Sequence, residues 1–325
     1  MPIFETTPEN IQLAAARLQS GELVAFPTET VYGLGARALD IQAVARIYAR
    51  KGRPSFNPLI VHVASIERAR ELSSTWPDYA QELAEHFWPG PLTLVVPKSA
   101  QVPDIISAGL PTVALRVPAH PVALELLRAA NVPLAAPSAN RSGALSPTRA
   151  RHVLESLGEG LWVLDGGACS VGIESTVVDV SSERPAILRP GGIPTREVES
   201  LVGPLVSPSI GEEESPRPSP GMLLKHYAPR ARVHLFSTLI DASFHAVSLA
   251  SGQKIGVLSF EPIGLDEQFD VREIVLPCDA RAYAARLYEV LHQLDAQSVA
   301  LILVEDVPSG RAWDGVRDRL HRAAK

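Results

Sequence analysis

The sequence predicts an α/β or α+β fold in two parts. Short runs rich in Val, Leu and Ile recur along the chain, stretches with helical apolar spacing alternate with them, and residues 206–228 turn to Pro, Ser, Glu and Gly. At 325 residues and 46% hydrophobic the chain can bury a full core, and its length suggests two domains. The expected units are a catalytic-sized domain at 1–205, a linker at 206–228 and a smaller α/β domain at 229–325.

Pro8 suits a first helical turn, Ile11, Leu13, Ala14 and Leu18 follow on helical spacing, and Gly21 stops the helix. A strand is expected at 23–26, then a loop, PTETVYGLGA, at 27–36. Asp40 caps a second helix that runs to Lys51 and is closed by Gly52 and Pro54, before a strand at 59–63. Further strands are expected at 92–96, 113–117, 133–136, 162–164, 176–180 and 186–188, with helices at 121–130 and 148–157. Beyond the linker, strands at 232–236, 254–259, 273–276 and 299–304 alternate with helices at 238–249, 280–294 and 311–323, a compact βαβ arrangement.

A formal net charge of -6 argues against a dedicated, sequence-independent nucleic-acid binder, because such binding calls for a broad positive face; a local basic groove stays open. Cys169 and Cys278 stand far apart, with no spacing that closes a zinc site, which suits a reducing, cytoplasmic compartment. Neither a basic start with an apolar run nor a continuous apolar stretch of about 18 residues occurs, so no membrane association is expected.

Between Asp40 and Glu67 there is no carboxylate, yet Arg46, Arg50, Lys51, Arg53 and His62 lie there, directly after the Thr- and Gly-bearing loop. Uncompensated cations beside free N–H and hydroxyl groups suit a polyanionic small molecule such as a nucleoside triphosphate. Gly33, Gly35 and Ala38 fit a loose dinucleotide pattern, but a site of that kind wants an acid about 20 positions on to hold the ribose, and none is present. Lys51 and Arg53 at a helix end have a second reading, as cations complementing the helix dipole. Pro137-Ser138-Ala139-Asn140 reads either as an ordinary turn or as a phosphate cradle. His62 reads as a satisfied core histidine or a ligand contact. Arg116 either faces solvent or enters a pocket to pair with a carboxylate, and Ser175 and Arg189 have the same two readings. No nucleophile-and-base set is present, so the implied mechanism is positioning and charge neutralisation.

PTETVYGLGA, then KGRPSFNPLIVH from Lys51, WPGPLT from Trp88, TVALRVPAHP from Thr112, APSAN from Ala136, GIEST from Gly172, LRPG from Leu188 and PGMLLKHYAP from Pro220 occur in one order. That set resembles the two-domain members of the threonylcarbamoyl-AMP synthase family. The resemblance covers residues 21–192 and the end of the linker. It implies a YrdC-like twisted, mixed open sheet with helices, plus a smaller Rossmann-like α/β domain joined by a long linker. It implies a nucleotidyltransferase that converts L-threonine, bicarbonate or CO2, and ATP into L-threonylcarbamoyladenylate and pyrophosphate, with Mg2+ on the triphosphate. Other proteins then transfer the threonylcarbamoyl group to tRNA, and tRNA itself is a candidate contact.

Residue by residue, the resemblance puts Lys51, Arg53, Ser138 and Asn140 around the reacting phosphates. It gives Arg53, Asn57, Thr112, Ser138, Ser146, Arg189 and Tyr227 to ATP, and Thr30, His62, Arg116, Ala136 and Ser175 to threonine, with Arg116 on its carboxylate. No protein side chain is expected to hold a metal. The linker end becomes a lid, with Tyr227 closing on the nucleotide. Two other functions are carried against this one: a different carbamoyl-adenylate transferase, whose known chains bring zinc-finger regions that this Cys-poor chain lacks, and a double-stranded RNA or tRNA binding module without catalysis.

Overall fold

A computed structural model describes residues 3–206, 227–247, 253–264 and 270–325; residues 207–226, where most of the expected linker and lid fall, lie outside the described residues. The larger part holds β1 (Ile3–Glu5), β2 (Val24–Phe26), β3 (Gly33–Arg37), β4 (Ile60–His62), β5 (Leu92–Pro97), β6 (Thr112–Arg116), β7 (Leu134–Ala135), β8 (Trp162–Asp165), β9 (Thr176–Asp179) and β10 (Ala186–Arg189). Its helices are α1 (Pro8–Gln19), α2 (Ile41–Lys51), α3 (Ile66–Arg70), α4 (Asp78–Phe87), α5 (Asp104–Ser107), α6 (Pro121–Ala130), α7 (Ala150–Leu157) and α8 (Thr195–Val202). The strands form one mixed sheet in the order β1-β8-β2-β3-β7-β4-β6-β5-β9-β10.

Strand alternation sends neighbouring side chains to opposite faces. In β2, Val24 and Phe26 join α1 and α6 residues such as Leu18 and Leu126, while Ala25 joins the opposite cluster with Leu34, Ile47 and Val153. Helices therefore cover both faces. Local chemistry sets their ends: Thr7 caps α1, Asp40 accepts the N–H groups of Gln42 and Ala43 at 3.0 and 3.1 Å, and Gly52 ends α2 in the left-handed region at φ 59°.

The expected loop at 27–36 is corrected in its second half, where Gly33 to Ala36 belong to a strand. Its N–H groups are not free for an anion, since Tyr32 N donates to Pro147 O and Leu34 N to Pro137 O, each at 2.8 Å. A Cβ on Gly35 would fall 2.8 Å from the Phe26 ring, so this glycine serves strand packing.

The smaller part holds β11 (Arg232–Phe236), β12 (Lys254–Ser259), β13 (Asp270–Val275) and β14 (Leu301–Glu305), an all-parallel sheet in the order β11-β14-β12-β13. Its helices are α9 (Leu239–Val247), α10 (Ala280–Ala296) and α11 (Asp314–Ala323), the last preceded by a 3-10 turn at Arg311–Trp313. Its main apolar cluster takes in Val31, Leu145 and Ile173 of the larger part, and Tyr227 from the linker end. The two sheets thus share core packing at their junction. No helix among the described residues is long and apolar enough to cross a membrane.

Candidate active site

The left-handed turn at Gly52 reverses the chain immediately after Lys51 and sends Arg53 back into the protein. Lys51 is 3% exposed and its ammonium donates to the carbonyl oxygens of Ser138, at 2.5 Å, and Asn140, which ties α2 to the turn after β7. Arg53 is 9% exposed; its Nε donates to Asn57 O at 3.2 Å and its Nη2 to Pro58 O at 2.9 Å. Among the described residues no carboxylate pairs with either cation. Burial, reinforced by Arg53, pulls the Lys51 ammonium well below its ordinary range. Burial likewise brings Arg53 down to about 10, with Arg189 adding to the effect and Tyr48 and Tyr227 opposing it. Such a pair gains from any anion that enters.

Arg46 and Arg50 do not share this role, a correction to the sequence reading. Both lie on another face of α2 and bond to backbone, Arg46 to Gly21 O at 2.8 Å and Arg50 to Glu159 O at 2.6 Å. Their spacing of four residues puts them on one helical face, away from Lys51.

The parallel pairing of β4 with β6 sets His62 beside Arg116. Arg116 enters the protein and pairs with Glu29 at 2.7 Å, donates to Thr30 Oγ1 at 3.0 Å and reaches Gly90 O at 3.2 Å. The hydroxyls continue the chain of bonds: Thr30 and Thr28 are 2.8 Å apart, and Thr28 donates to Val31 O at 2.6 Å. Where β9 begins, Ser175 Oγ lies 2.7 Å from Thr93 Oγ1, and Arg189 donates to Ser175 O at 2.9 Å and to its hydroxyl at 3.1 Å. His62 Nδ1 is buried without a partner, and burial, then Arg116, pushes the imidazole down to about 3. The ring is a neutral acceptor at physiological pH.

Thr30, Arg53, His62, Arg116, Ala136, Ser138, Ser175, Arg189 and Tyr227 line one cavity of about 50 Å³. Lys51 and Asn140 adjoin it through the Ser138 turn, and both side-chain amide atoms of Asn57, beside Arg53, are buried without partners. Ser146 reaches the cavity through its hydroxyl bond to Glu174, and the helix expected from 148 starts only at Ala150. Thr112 does not line the cavity; it stands at the far end of β6, roughly 13 Å of strand from Arg116. The sequence reading gave no role to Thr28, Glu29, Glu174, Tyr288 or Arg319, which hold the assigned residues in place. Of the two readings of Arg116, the structure takes the one in which it enters a pocket and pairs with a carboxylate, and Glu29 is such a partner.

Among the described residues one set, His152, Glu155 and His292, brings possible metal-ligand atoms within 4.8 Å of one another. It lines a separate cavity of about 630 Å³, and its two imidazoles stack 3.8 Å apart, so their in-plane lone pairs run nearly parallel and do not converge on one ion.

The buried neutral His62 makes stability depend on acid. Its folded pKa of about 3 lies below the ordinary value of 6.5, so between those values the unfolded chain binds the extra proton and stability falls as pH drops. His62→Gln is expected to flatten the pH dependence of unfolding free energy by up to about 1.4 kcal/mol per pH unit across pH 4–6. Denaturant titrations of both proteins read this directly, and equal slopes would show that His62 keeps its proton in the fold.

Residues 16–191 match the family described as telomere recombination, and residues 193–325 match the C-terminal domain of threonylcarbamoyl-AMP synthase. A threonylcarbamoyl-AMP synthase of Pyrococcus abyssi is 43% identical over 323 residues, covering 97% of this chain and 94% of the relative. One from Bacillus subtilis is 41% identical over 332 residues, covering 99% and 94%. The crystal structure of P. abyssi Sua5 complexed with L-threonine superposes with a TM-score of 0.90 at 41% identity, covering 99% of this chain and 96% of that one. With both of its parts matched and full-length relatives above 40% identity, the chain belongs to the threonylcarbamoyl-AMP synthase family.

Proposed function

We propose that this cavity joins L-threonine, bicarbonate or CO2, and ATP into L-threonylcarbamoyladenylate, releasing pyrophosphate. The observation that carries the reading is the meeting, at one cavity, of the buried Arg53, with Lys51 adjoining through the Ser138 turn and neither paired to a carboxylate among the described residues, and an Arg-Thr-His set suited to an amino acid. Arg116 and Thr30 would take the threonine carboxylate. His62, as a neutral acceptor, would face the ammonium, which must lose a proton before its nitrogen attacks CO2. The resulting carbamate oxygen attacks the α-phosphorus, the bond to the β-phosphate oxygen breaks, and pyrophosphate leaves with its charge met by Lys51 and Arg53.

Tyr227 is 1% exposed, and the cavity of about 50 Å³ has room for little more than a water or two. The residue after it is pinned to the turn beyond Asn140, with Ala228 N donating to Gly143 O at 3.0 Å. Tyr227 therefore withdraws to admit ATP and returns to shield the adenylate, a mixed anhydride that water destroys.

The donor set fits a Mg2+ carried by the triphosphate. Among the described residues the two nearby carboxylates, Glu29 and Glu174, are each tied to an arginine, which leaves no free acid there for a cage of protein ligands. Asn57 Oδ1 and Asn140 Oδ1, both buried without a partner, are neutral oxygens available to the ion's waters. Carried in on the triphosphate, Mg2+ would supply further charge neutralisation on the phosphates. The product passes to partner proteins that transfer the threonylcarbamoyl group to tRNA, a cytoplasmic reaction. Lys51 and Arg53 are enclosed, so they offer no groove to duplex RNA, which disfavours the RNA-binding alternative.

The test is pyrophosphate release with labelled bicarbonate, with and without L-threonine. Release that ignores threonine removes the reading. In the same assay Arg53→Ala is expected to lose about 2 kcal/mol of phosphate stabilisation, roughly thirty-fold in rate. A loss below twofold contradicts the role given to Arg53.

A further inference from the structure

Among the described residues that line the cavity Glu174 is the only carboxylate, and it is 6% exposed. An ionised acid beside Arg53 and Arg189 is an obstacle to a triphosphate. The second domain meets it. Arg319, on α11 and 1% exposed, donates from Nε to Glu174 Oε2 at 2.9 Å, and Tyr288, on α10, donates to the same oxygen at 3.1 Å. Ser146 donates to the other oxygen. The Arg319 guanidinium also donates to Pro190 O and lies 5.2 Å from the centre of the Tyr227 ring, a cation–π distance. Helix α11 is fixed there by close backbone contact, since a Cβ on Gly315 would fall 2.6 Å from Gly191 O.

We infer that Arg319 is a positioning residue for the nucleotide half of the site: it neutralises Glu174 and seats Tyr227, so that the second domain completes the anion-binding cavity of the first. The inference rests on the synthase reading and assigns the second domain a part in ATP binding beyond anchoring the linker. Burial alone would raise the Glu174 carboxyl, but Arg319 and Arg189, with the Ser146 bond, hold it at about 2, so it stays ionised and needs its partner at every working pH.

Steady-state kinetics on the full chain test this. Arg319→Met is expected to raise the KM for ATP by about 30-fold at pH 8 while the KM for threonine changes less than about threefold, because an unpaired buried acid then faces the phosphates. Adding Glu174→Gln to that variant is expected to return the ATP KM to within about fivefold of the unaltered chain. Lowering the pH toward 6 is expected to improve ATP binding in Arg319→Met alone, as the stranded carboxyl takes a proton. A domain glue would behave otherwise: the double variant would be no better than the single one, and both KM values would move together. Either outcome overturns the inference. If Arg319→Met does not fold, Arg319→Lys carries the test. It keeps the charge, so its ATP KM is expected to rise less than about fivefold, and a rise above about 30-fold in a folded protein overturns the inference. Threonine-independent pyrophosphate release in the unaltered chain would instead sink the synthase reading, and ATP affinity measured calorimetrically would still decide the role of Arg319.

Discussion

Lys51→Met is expected to lower threonine-dependent pyrophosphate release by roughly 100-fold, the loss of about 3 kcal/mol. The ammonium is buried, has no carboxylate partner among the described residues, and bonds to the carbonyls of Ser138 and Asn140. Removing it costs twice. The turn that presents Ser138 and Asn140 loses the bonds holding it to α2, and the departing pyrophosphate loses a charge. Burial already presses Lys51 toward its neutral form, so a bound triphosphate restores the charged form and gains from doing so. The split between kcat and KM separates the two costs. A variant with normal kcat and a raised KM would make Lys51 a strut for the turn and nothing more.

Elements fixed by local chemistry were legible. Asp40, the apolar positions 43, 44 and 47, and Gly52 define α2 without help from the rest of the chain, and the structure agrees. Gly33 and Gly35 misled because two glycines suggest a loop, whereas the strand there exists through pairing with β2 and β7 and the need to admit the Phe26 ring. Such causes are tertiary. Strand β1, three residues held at the sheet edge by β8, leaves too short a pattern to read.

The cations of the site could be read from the missing acids around them, but their separation into one inward and one outward group required the helix. The balancing carboxylates were hidden for a different reason. Glu29 meets Arg116 across 87 positions and Glu174 meets Arg319 across 145, and no spacing rule spans such intervals. In α11, nothing distinguishes Arg319 from Arg317 and Arg322 except the direction it faces in the folded chain.

The pairing of Arg116 with Glu29 carries the second large effect. Both side chains are nearly sealed from solvent, at 4% and 8% exposure, so Arg116→Met strands Glu29 and is expected to cost about 3–5 kcal/mol of folding stability. The same change removes the donor proposed for the threonine carboxylate, and the KM for threonine is expected to rise by about 100-fold. The two losses are separable. Arg116→Met with Glu29→Gln leaves no buried unpaired charge, so most of the stability should return while the threonine KM stays high. His62 offers a third readout. Arg116 is the second cause, after burial, that depresses its imidazole, so in the double variant the ring should titrate closer to its ordinary 6.5, visible in its proton chemical shifts. Threonine binding that recovers together with stability would mean that Arg116 serves only to neutralise Glu29, and the carboxylate end of the substrate would then have to be held by Thr30, Ser175 and the backbone beside Ala136.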